Sequence, residues 1–325
     1  MLQQTQVKAV LPYWERWLRA LPTVESLANE RAERLHKLWE GLGYYRRVRN
    51  LHRAARLIVR QHGGKFPQDF DQILALPGIG RYTAGAISSI AFNEPKPVLD
   101  GNVIRVLCRC LGIAGNPRTG QTNKELWRLA GDLVAEAEKS VPRATRPCSQ
   151  LNQALMELGA LVCLPRRARC EDCPLGKICI ARRQGRVQEL PNLGRKAAMT
   201  PRRFFAFVLE RHGRFLVRQR SAGAVNGLLW EFPNVETAND ETNVIRAAQR
   251  ALGFAPKGNY SPVRLCAIKH SITRYRITLE AYRMNASRVA PRSRLEGKWF
   301  GLSQLKALPF ASAHRKILVV LEGSR

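Results

Sequence analysis

Four cysteines lie close together near the middle of the chain, in the pattern C-x6-C-x2-C-x5-C. They are Cys163, Cys170, Cys173 and Cys179. Four thiolates at such spacing can enclose one soft metal centre, which is either a tetrahedral zinc ion or a [4Fe-4S] cluster. Zinc ribbons usually pair two short C-x2-C knuckles, whereas this chain has a single short pair flanked by unequal gaps. The spacing therefore favours the iron–sulfur cluster.

A second candidate site combines a tight turn with an aspartate. In the turn LPGIG at residues 76–80, Gly78 and Gly80 flank one apolar residue, which lets backbone N–H groups point outward at the start of the next helix and form an anion site. Asp100 follows where an apolar extended run turns into a helix. An aspartate there predicts an N-cap, and the helix N-terminus favours its negative charge. Taken alone, each motif is also an ordinary structural feature.

The charge balance points to a polyanionic partner. The 325 residues include 54 Lys and Arg against 25 Asp and Glu, a formal net charge of +29, which is shared about evenly on either side of residue 200. The commonest intracellular polyanion is nucleic acid, and the alternative is a high-arginine proteome with solvated charged surfaces. No apolar run approaches the roughly 18 residues that cross a bilayer, and the N-terminus has no signal-peptide pattern, so the sequence predicts no membrane partner.

Apolar periodicity divides the chain into a helical part and a β-rich part. Residues 5–180 have helical spacing with short Gly- and Pro-containing breaks. Residues 182–202 are rich in basic residues and contain two prolines, which is typical of a linker. Beyond them the pattern predicts a strand pair that turns at 212–213 and a second pair of strands within 263–283, with one helix in 242–253. We therefore predict domains over 1–181 and 203–325.

These motifs, in this order and spacing, resemble the helix-hairpin-helix DNA glycosylase superfamily with an iron–sulfur cluster, and within it the adenine DNA glycosylase (MutY) family. The similarity rests on five segments: MLQQTQV at 1–7, GLGYY at 41–45, LPGIG at 76–80, LDGNV at 99–103 and LGA at 158–160. It covers residues 1 to about 190 strongly and 203–325 more loosely. It implies an all-α helix-hairpin-helix glycosylase domain with a [4Fe-4S] loop, followed by an α+β MutT-like (Nudix-fold) domain.

The resemblance implies a monofunctional glycosylase of base-excision repair. Such an enzyme hydrolyses the N-glycosidic bond of adenine mispaired with 8-oxoguanine or guanine in double-stranded DNA. Asp100 would stabilise the oxocarbenium-like sugar cation, and Tyr82 would position Asp100. The alternative enzymes, similar to endonuclease III, have a lysine in place of Tyr82, and a tyrosine cannot form their Schiff base.

The resemblance also assigns the contacts with DNA. Tyr44 is implied to intercalate where the adenine leaves the base stack. Residues implied to line the adenine pocket or bind DNA also include Leu2, Gln4, Thr5, Gly78, Gly80, Gln153 and Met156. Recognition of 8-oxoguanine is implied for His270, Thr273 and Arg274, where the family pattern is H-x-F-S-H. Thr273 keeps a hydroxyl there, whereas Arg274 replaces a histidine with a permanent cation.

Two departures from the family pattern bear on activity. The family has a second acid, a glutamate that protonates the leaving adenine. This glutamate lies two residues before the methionine at which this chain begins. We therefore expect little or no glycosylase activity from the chain as written, with a late start site favoured over a truncated, non-catalytic lesion-binding protein. In the C-terminal part, Arg246 and Gly253 match the Nudix motif, but Ala or Arg stands at each metal-binding carboxylate position, so pyrophosphate hydrolysis is not expected. We expect a monomeric, cytoplasmic, nucleoid-associated bacterial protein.

Overall fold

The computed structural model describes residues 1–194, 198–253, 262–286 and 296–323. The chain forms two compact units, of which one combines Met1–Val59 with Ala197–Arg325 and the other is Arg60–Lys196. The first 59 residues thus pack with the C-terminal part, a long-range association that linear composition does not reveal. The domain limits inferred from the sequence stay predictions, since a packing unit and a family domain need not coincide. In the part of the chain that is described, no helix has the length and hydropathy needed to cross a membrane.

The described residues up to 183 form helices joined by short turns, as the periodicity predicts. The helices are α1 Val7–Ala20, α2 Val24–Asn29, α3 Ala32–Leu38, α4 Arg46–His62, α5 Phe70–Ala75, α6 Arg81–Phe92, α7 Gly101–Cys110, α8 Gly120–Ser140, α9 Pro147–Leu161 and α10 Ile180–Arg183, with a 3-10 turn at Arg143–Thr145. Local chemistry sets several ends. Asp69 caps α5 through the N–H groups of Asp71 and Gln72, and Asn93 ends α6 in the left-handed conformation.

The apolar residues of α1 divide between its two sides. Val10 and Trp17 are buried, whereas Val7, Leu11, Trp14 and Leu18 are exposed. Trp17 packs edge-on against Trp39, which follows α3. Apolar spacing therefore predicts the helix correctly, but only the packing decides which side is buried.

The C-terminal part is a mixed sheet with helices on both faces. Its strands are β1 Thr200–Arg211, β2 Arg214–Gln219, β3 Trp230–Glu231, β4 Asn234–Thr237, β5 Val263–Ile272, β6 Tyr275–Asn285 and β7 Lys298–Gly301, and its helices are α11 Val244–Leu252, α12 Leu302–Ala307 and α13 Ser312–Gly323. The main strand order is β3-β2-β1-β6-β5, with β4 beside β1 and β7 beside β2. The pairing of β1 with β6 is parallel, and the other pairings are antiparallel. Both predicted strand pairs and the predicted helix are confirmed.

Alternation along β1 places side chains in two separate cores. Ala206 and Val208 face one apolar cluster, which includes residues of α13. Phe205, Phe207 and Leu209 face the other cluster, which includes residues of α11. Successive side chains of a strand point to opposite faces, so this fully apolar segment is covered on both sides. The predicted α+β, MutT-like architecture follows from that covering.

Candidate functional site

Asp100 is held at the start of α7 by three hydrogen bonds. Its Oδ1 accepts from the N–H groups of Asn102 at 2.9 Å and Val103 at 2.8 Å, and its Oδ2 accepts from the Asn102 amide at 3.1 Å. The predicted N-cap is therefore confirmed. Both carboxylate oxygens have fixed directions, as electrostatic catalysis requires of a preorganised charge.

Tyr82, in the first turn of α6, lies near Asp100 and Met156. Its hydroxyl donates to Met156 Sδ at 3.6 Å. Burial raises the pKa of Tyr82, and the negative charge of Asp100 raises it further. The phenol therefore stays protonated and remains a donor at neutral pH. Its hydrogen bond goes to Met156, so the role of Tyr82 in positioning Asp100 stays a prediction.

Close packing of two helices restricts the segment that carries Asp100. A Cβ on Gly159 of α9 would lie 2.6 Å from Asn102 Cβ, and a Cβ on Gly85 of α6 would lie 2.2 Å from the Pro97 carbonyl oxygen. Neither contact can be made by a residue larger than glycine without a shift of the backbone. The LGA motif at 158–160 thus contains a glycine that lets α9 approach the start of α7.

Arg105 is a site residue that the sequence interpretation missed. It is only 9% exposed. Its guanidinium donates to the carbonyls of Gly159 and Cys163, both at 2.6 Å, to Asn102 Oδ1 at 2.9 Å and to the Gly101 carbonyl at 3.2 Å. It therefore connects the residues beside Asp100 with the first cysteine of the four-cysteine motif. The available signal was an arginine among the apolar residues of α7.

The four predicted metal ligands share one neighbourhood. Burial raises the pKa of Cys170, and the charges of Cys163, Cys179 and Cys173 raise it further, partly offset by a nearby arginine. All four are free thiols. Among the described residues, no three His, Cys, Asp or Glu side chains are arranged to hold one ion. Four unpaired thiols are the donor set that a [4Fe-4S] cluster takes.

Arg109 connects this motif to α7. It is 2% exposed, and its Nη1 donates to Cys163 Sγ at 3.3 Å and to the Leu164 carbonyl at 2.8 Å. Its own carbonyl accepts from Cys179 Sγ at 3.4 Å. Arg109 thereby fixes the positions of two of the four sulfur atoms relative to α7. This contact supports a metal-binding role for the motif.

The turn at 76–80 has the backbone form expected for an anion site. Gly78 has φ +85°, and the N–H of Ile79 donates to the Leu76 carbonyl at 3.1 Å. Gly80 is the N-cap of α6 and has no side chain with which to cap it. The first N–H groups of α6 belong to the positive end of the helix.

The predicted pocket residue Gln153 lies on the exposed side of α9. Its amide donates back to Ser149, at 3.0 Å to Oγ and at 3.3 Å to the carbonyl. Met156, one turn further on, is half-buried and contacts Tyr82. The structure therefore groups Met156 with Tyr82 and Asp100, whereas Gln153 is turned back on its own helix.

The residues predicted to insert into DNA are exposed and belong to the first compact unit. Leu2 is 57% exposed and Tyr44 is 52% exposed. Gln4 and Tyr44 have positive φ angles of 58° and 48°. Side chains other than glycine rarely adopt this conformation, which is found at functional sites where the surroundings enforce it.

Arg47, which the sequence interpretation also missed, joins the two inserting segments. Its Nη1 donates to the carbonyls of Met1, at 2.6 Å, and Gln3, and to Thr5 Oγ1 at 3.0 Å. Its Nη2 donates to the carbonyls at positions 42 and 43, both at 3.2 Å. The guanidinium also lies 5.4 Å from the ring centroid of Tyr44. One side chain thus holds the MLQQT segment against the GLGYY loop.

The three residues predicted to recognise 8-oxoguanine lie on the β5–β6 hairpin. His270 is half-buried on β5, and Thr273 and Arg274 form the exposed tip. Thr273 has φ +50°, and its hydroxyl donates to the Ile272 carbonyl at 2.8 Å. Arg274 lies 5.2 Å from the ring centroid of Tyr275 and donates to its hydroxyl at 2.9 Å. The tip therefore presents one hydroxyl and one oriented cation.

Comparisons with known proteins place this arrangement in a family. The profile of the HhH-GPD superfamily of base excision DNA repair proteins matches residues 1–131, and that of the NUDIX domain matches residues 205–319. The adenine DNA glycosylase of Rattus norvegicus is 34% identical over 374 residues, which cover 100% of this chain and 70% of that protein. The one of Homo sapiens is 32% identical over 378 residues, which cover 100% of this chain and 67% of that protein. A solved thermostable thymine-DNA glycosylase has a TM-score of 0.49 at 28% identity, over 56% of this chain and 80% of that one. The chain is a DNA glycosylase of base excision repair, and it belongs to the adenine DNA glycosylase family.

Proposed function

We propose that this protein removes adenine mispaired with 8-oxoguanine or guanine from double-stranded DNA. The observation that carries the proposal is the carboxylate of Asp100, which three donors orient beside the protonated phenol of Tyr82. The site has a carboxylate to stabilise a cation and a tyrosine where a lyase needs an amine. These features support single displacement by water over Schiff-base chemistry.

The geometry suits a reaction in which charge develops on the sugar. As the N-glycosidic bond breaks, positive charge accumulates on the deoxyribose, and the oriented carboxylate of Asp100 stabilises it. The C1′–N9 bond breaks and the oxygen of a water molecule bonds to C1′; the water gives up one proton, and the departing adenine takes up one.

Extrusion of the adenine is assigned to the first unit of the chain. Tyr44 fills the gap in the stack, and Leu2 and Gln4 insert nearby. The positive φ angles and the contacts of Arg47 support a preformed wedge, which lowers the ordering cost of binding. We assign a DNA phosphate to the N–H groups at Gly78, Gly80 and the start of α6.

The oxidised guanine is assigned to the β5–β6 hairpin. Thr273 offers a hydroxyl oxygen that can accept, since its proton goes to the Ile272 carbonyl, Arg274 offers a cation, and His270 completes the group. The exposure of the tip supports this assignment. We further propose that the protein works as a monomer and that its net charge of +29 associates it with the nucleoid.

The four cysteines are assigned to a [4Fe-4S] cluster. Cys163, Cys170, Cys173 and Cys179 would hold it, and when bound it would cross-link the loop that they span. Arg109 donates to the Cys163 sulfur, and Arg105 holds the backbone at Cys163. The role of these residues is to keep the loop and α7 in a fixed relation.

The test combines binding, excision and trapping. Duplexes with A:8-oxoG, A:G and A:T pairs are compared by fluorescence anisotropy for affinity and by alkaline cleavage for adenine release. We expect tightest binding to A:8-oxoG, adenine release that is slow for the chain as written and lost in Asp100→Asn, and no covalent adduct with borohydride. An adduct would instead establish a lyase, and selective binding without any release would establish a lesion-binding protein.

A further inference from the structure

The loop that presents Tyr44 has a strained backbone. Gly41, Gly43 and Tyr44 have φ angles of +105°, +70° and +48°. Gly41 is needed for its φ angle, and a Cβ there would also lie 2.1 Å from the Tyr13 hydroxyl, so the tyrosine side chain would have to move. A tyrosine at φ +48° persists only where neighbouring groups over-determine the conformation. The contacts that do so come in part from the C-terminal end of the chain.

Just before the loop, Lys37 and Glu40 form hydrogen bonds with residues 306–310, at the end of α12 and after it. Glu40 Oε1 accepts from the Phe310 N–H at 2.9 Å, and Glu40 Oε2 lies 2.6 Å from Lys37 Nζ. Lys37 Nζ in turn donates to the carbonyls of Lys306 at 2.6 Å and Leu308 at 3.2 Å. Lys37 thus caps the C-terminal end of α12, where a cation is favoured.

Further along the loop, more C-terminal residues make contact. The Tyr45 hydroxyl accepts from the Gly41 N–H at 3.3 Å and shares a hydrogen bond with the Ser312 side chain. Arg49 donates to the Gly227 carbonyl at 3.1 Å. The apolar cluster beneath the loop combines both ends of the chain, namely Trp39, Leu42, Tyr45, Val48, Leu229 and Ala311. The loop is therefore anchored on both flanks.

Helix α13 connects these anchors with the hairpin assigned to 8-oxoguanine. It begins at Ser312, and one turn later Lys316 lies near His270, whose pKa is lowered by burial and then by the charge of Lys316. His314, between them, accepts the Phe232 N–H at 3.2 Å. A short helix packed on the sheet thus reaches from the loop anchor to the hairpin strand.

We propose that residues 306–312, here called the clasp segment, position the Tyr44 loop and couple it to the lesion-reading hairpin, with Lys37 and Glu40 as the positioning residues. The proposal rests on the assigned roles of Tyr44 and of residues 270–274. Occupancy of the hairpin by oxidised guanine favours the anchored loop, and the anchored loop favours extrusion of the opposite adenine. Because linkage is reciprocal, breaking the clasp weakens the preference for A:8-oxoG over A:G.

The test measures preference, not only strength of binding. Lys37→Met removes the donor to the clasp segment, Lys37→Arg keeps a donor, and Ser312→Ala removes only the partner of Tyr45. Dissociation constants are measured by anisotropy for A:8-oxoG, A:G and A:T duplexes, and extrusion is followed with 2-aminopurine in place of the adenine. We expect Lys37→Met to reduce the A:8-oxoG over A:G preference about tenfold, about 1.4 kcal/mol. Ser312→Ala should reduce this preference less than Lys37→Met does. In Lys37→Met, the dissociation constant for the A:T duplex should change less than about twofold. Lys37→Arg should keep most of the wild-type preference.

The outcomes separate the clasp from the function on which it rests. The proposal for the clasp segment would be refuted if Lys37→Met weakened binding to all three duplexes equally. It would also be refuted if Lys37→Met and Ser312→Ala both kept the wild-type preference for A:8-oxoG over A:G. Tyr44→Ala tests the underlying assignment, since it should abolish the 2-aminopurine signal. If Tyr44→Ala keeps that signal, the assigned role of Tyr44 fails, whatever the clasp variants do.

Discussion

Replacing Arg47 tests whether a single guanidinium assembles the inserting surface. Arg47→Met keeps an unbranched apolar stem near the rings of Trp39 and Tyr44, from which the guanidinium lies 5.3 and 5.4 Å. It removes every donor to the MLQQT segment at 1–5 and to the loop carbonyls at 42 and 43. Arg47→Lys is the matched variant, because an ammonium keeps the charge but cannot reach both segments in the fork geometry of a guanidinium.

The expected magnitude follows from which acceptors water can reach. The carbonyls of Met1 and Gln3 lie on an accessible segment, so water replaces most of what they lose. The Gly43 carbonyl also accepts from Trp39 Nε1 at 3.0 Å and keeps that partner. The buried Leu42 carbonyl loses its donor, and one unsatisfied acceptor costs about 1–3 kcal/mol. Burial lowers the pKa of Arg47, and relief of that desolvation offsets part of the cost. We expect a net loss of about 1 kcal/mol in the free energy of unfolding.

Arg47→Met should also weaken DNA binding, independently of its effect on the free energy of unfolding. The loss of affinity should be larger for mismatched duplexes than for A:T duplexes. A released MLQQT segment must be reordered on the DNA, at about 1–2 kcal/mol for each backbone residue that is fixed. If one or two residues need reordering, affinity for an A:8-oxoG duplex falls about 10- to 100-fold. Urea unfolding followed by circular dichroism measures the first quantity, and anisotropy measures the second. Wild-type affinity in Arg47→Met, or a loss identical for A:T and A:8-oxoG duplexes, would refute the reasoning.

Three other perturbations have defined outcomes. Asp100→Asn should abolish adenine release and change unfolding by less than about 1 kcal/mol, because asparagine is also a good N-cap; retained release at the parental rate would exclude Asp100 as the catalytic charge. Cys170→Ser should lower the iron content and the visible absorbance of the purified protein, whereas Cys266→Ser, on β5, should leave both unchanged; equal iron content in the two variants would remove Cys170 from the ligand set. Burial lowers the pKa of His314 from 6.5 to about 3, so the unfolded chain binds a proton below about pH 6.5 that the folded chain does not. Stability should therefore fall on acidification, by about 1.4 kcal/mol per pH unit from this group between about pH 6 and 4. His314→Gln should flatten that slope in urea titrations, and an unchanged slope in His314→Gln would contradict the assignment.

Short-range patterns determine the elements and the nature of the chemistry in this chain. Asp100 is recognisable as an N-cap because capping depends on residues two and three positions away. The β1–β2 turn is recognisable because two apolar runs flank His212 and Gly213, and both residues adopt the positive φ that suits a two-residue hairpin. The four cysteines stand out for the same reason, since their spacing is local. Each of these features is a property of a few neighbouring residues and needs no knowledge of the fold.

The fold alone decides which side chains hold these features in place. Arg105 reaches Cys163 across 58 positions, and Lys37 reaches Lys306 across 269. Neither arginine nor lysine carries any periodic signal of such a partner, because both residue types are usually solvated. For the same reason the sequence predicts a helix at α1 but not its buried side. The chemistry of this protein is thus set by local sequence, whereas the contacts that orient it arise only when distant segments pack together and bury a charge.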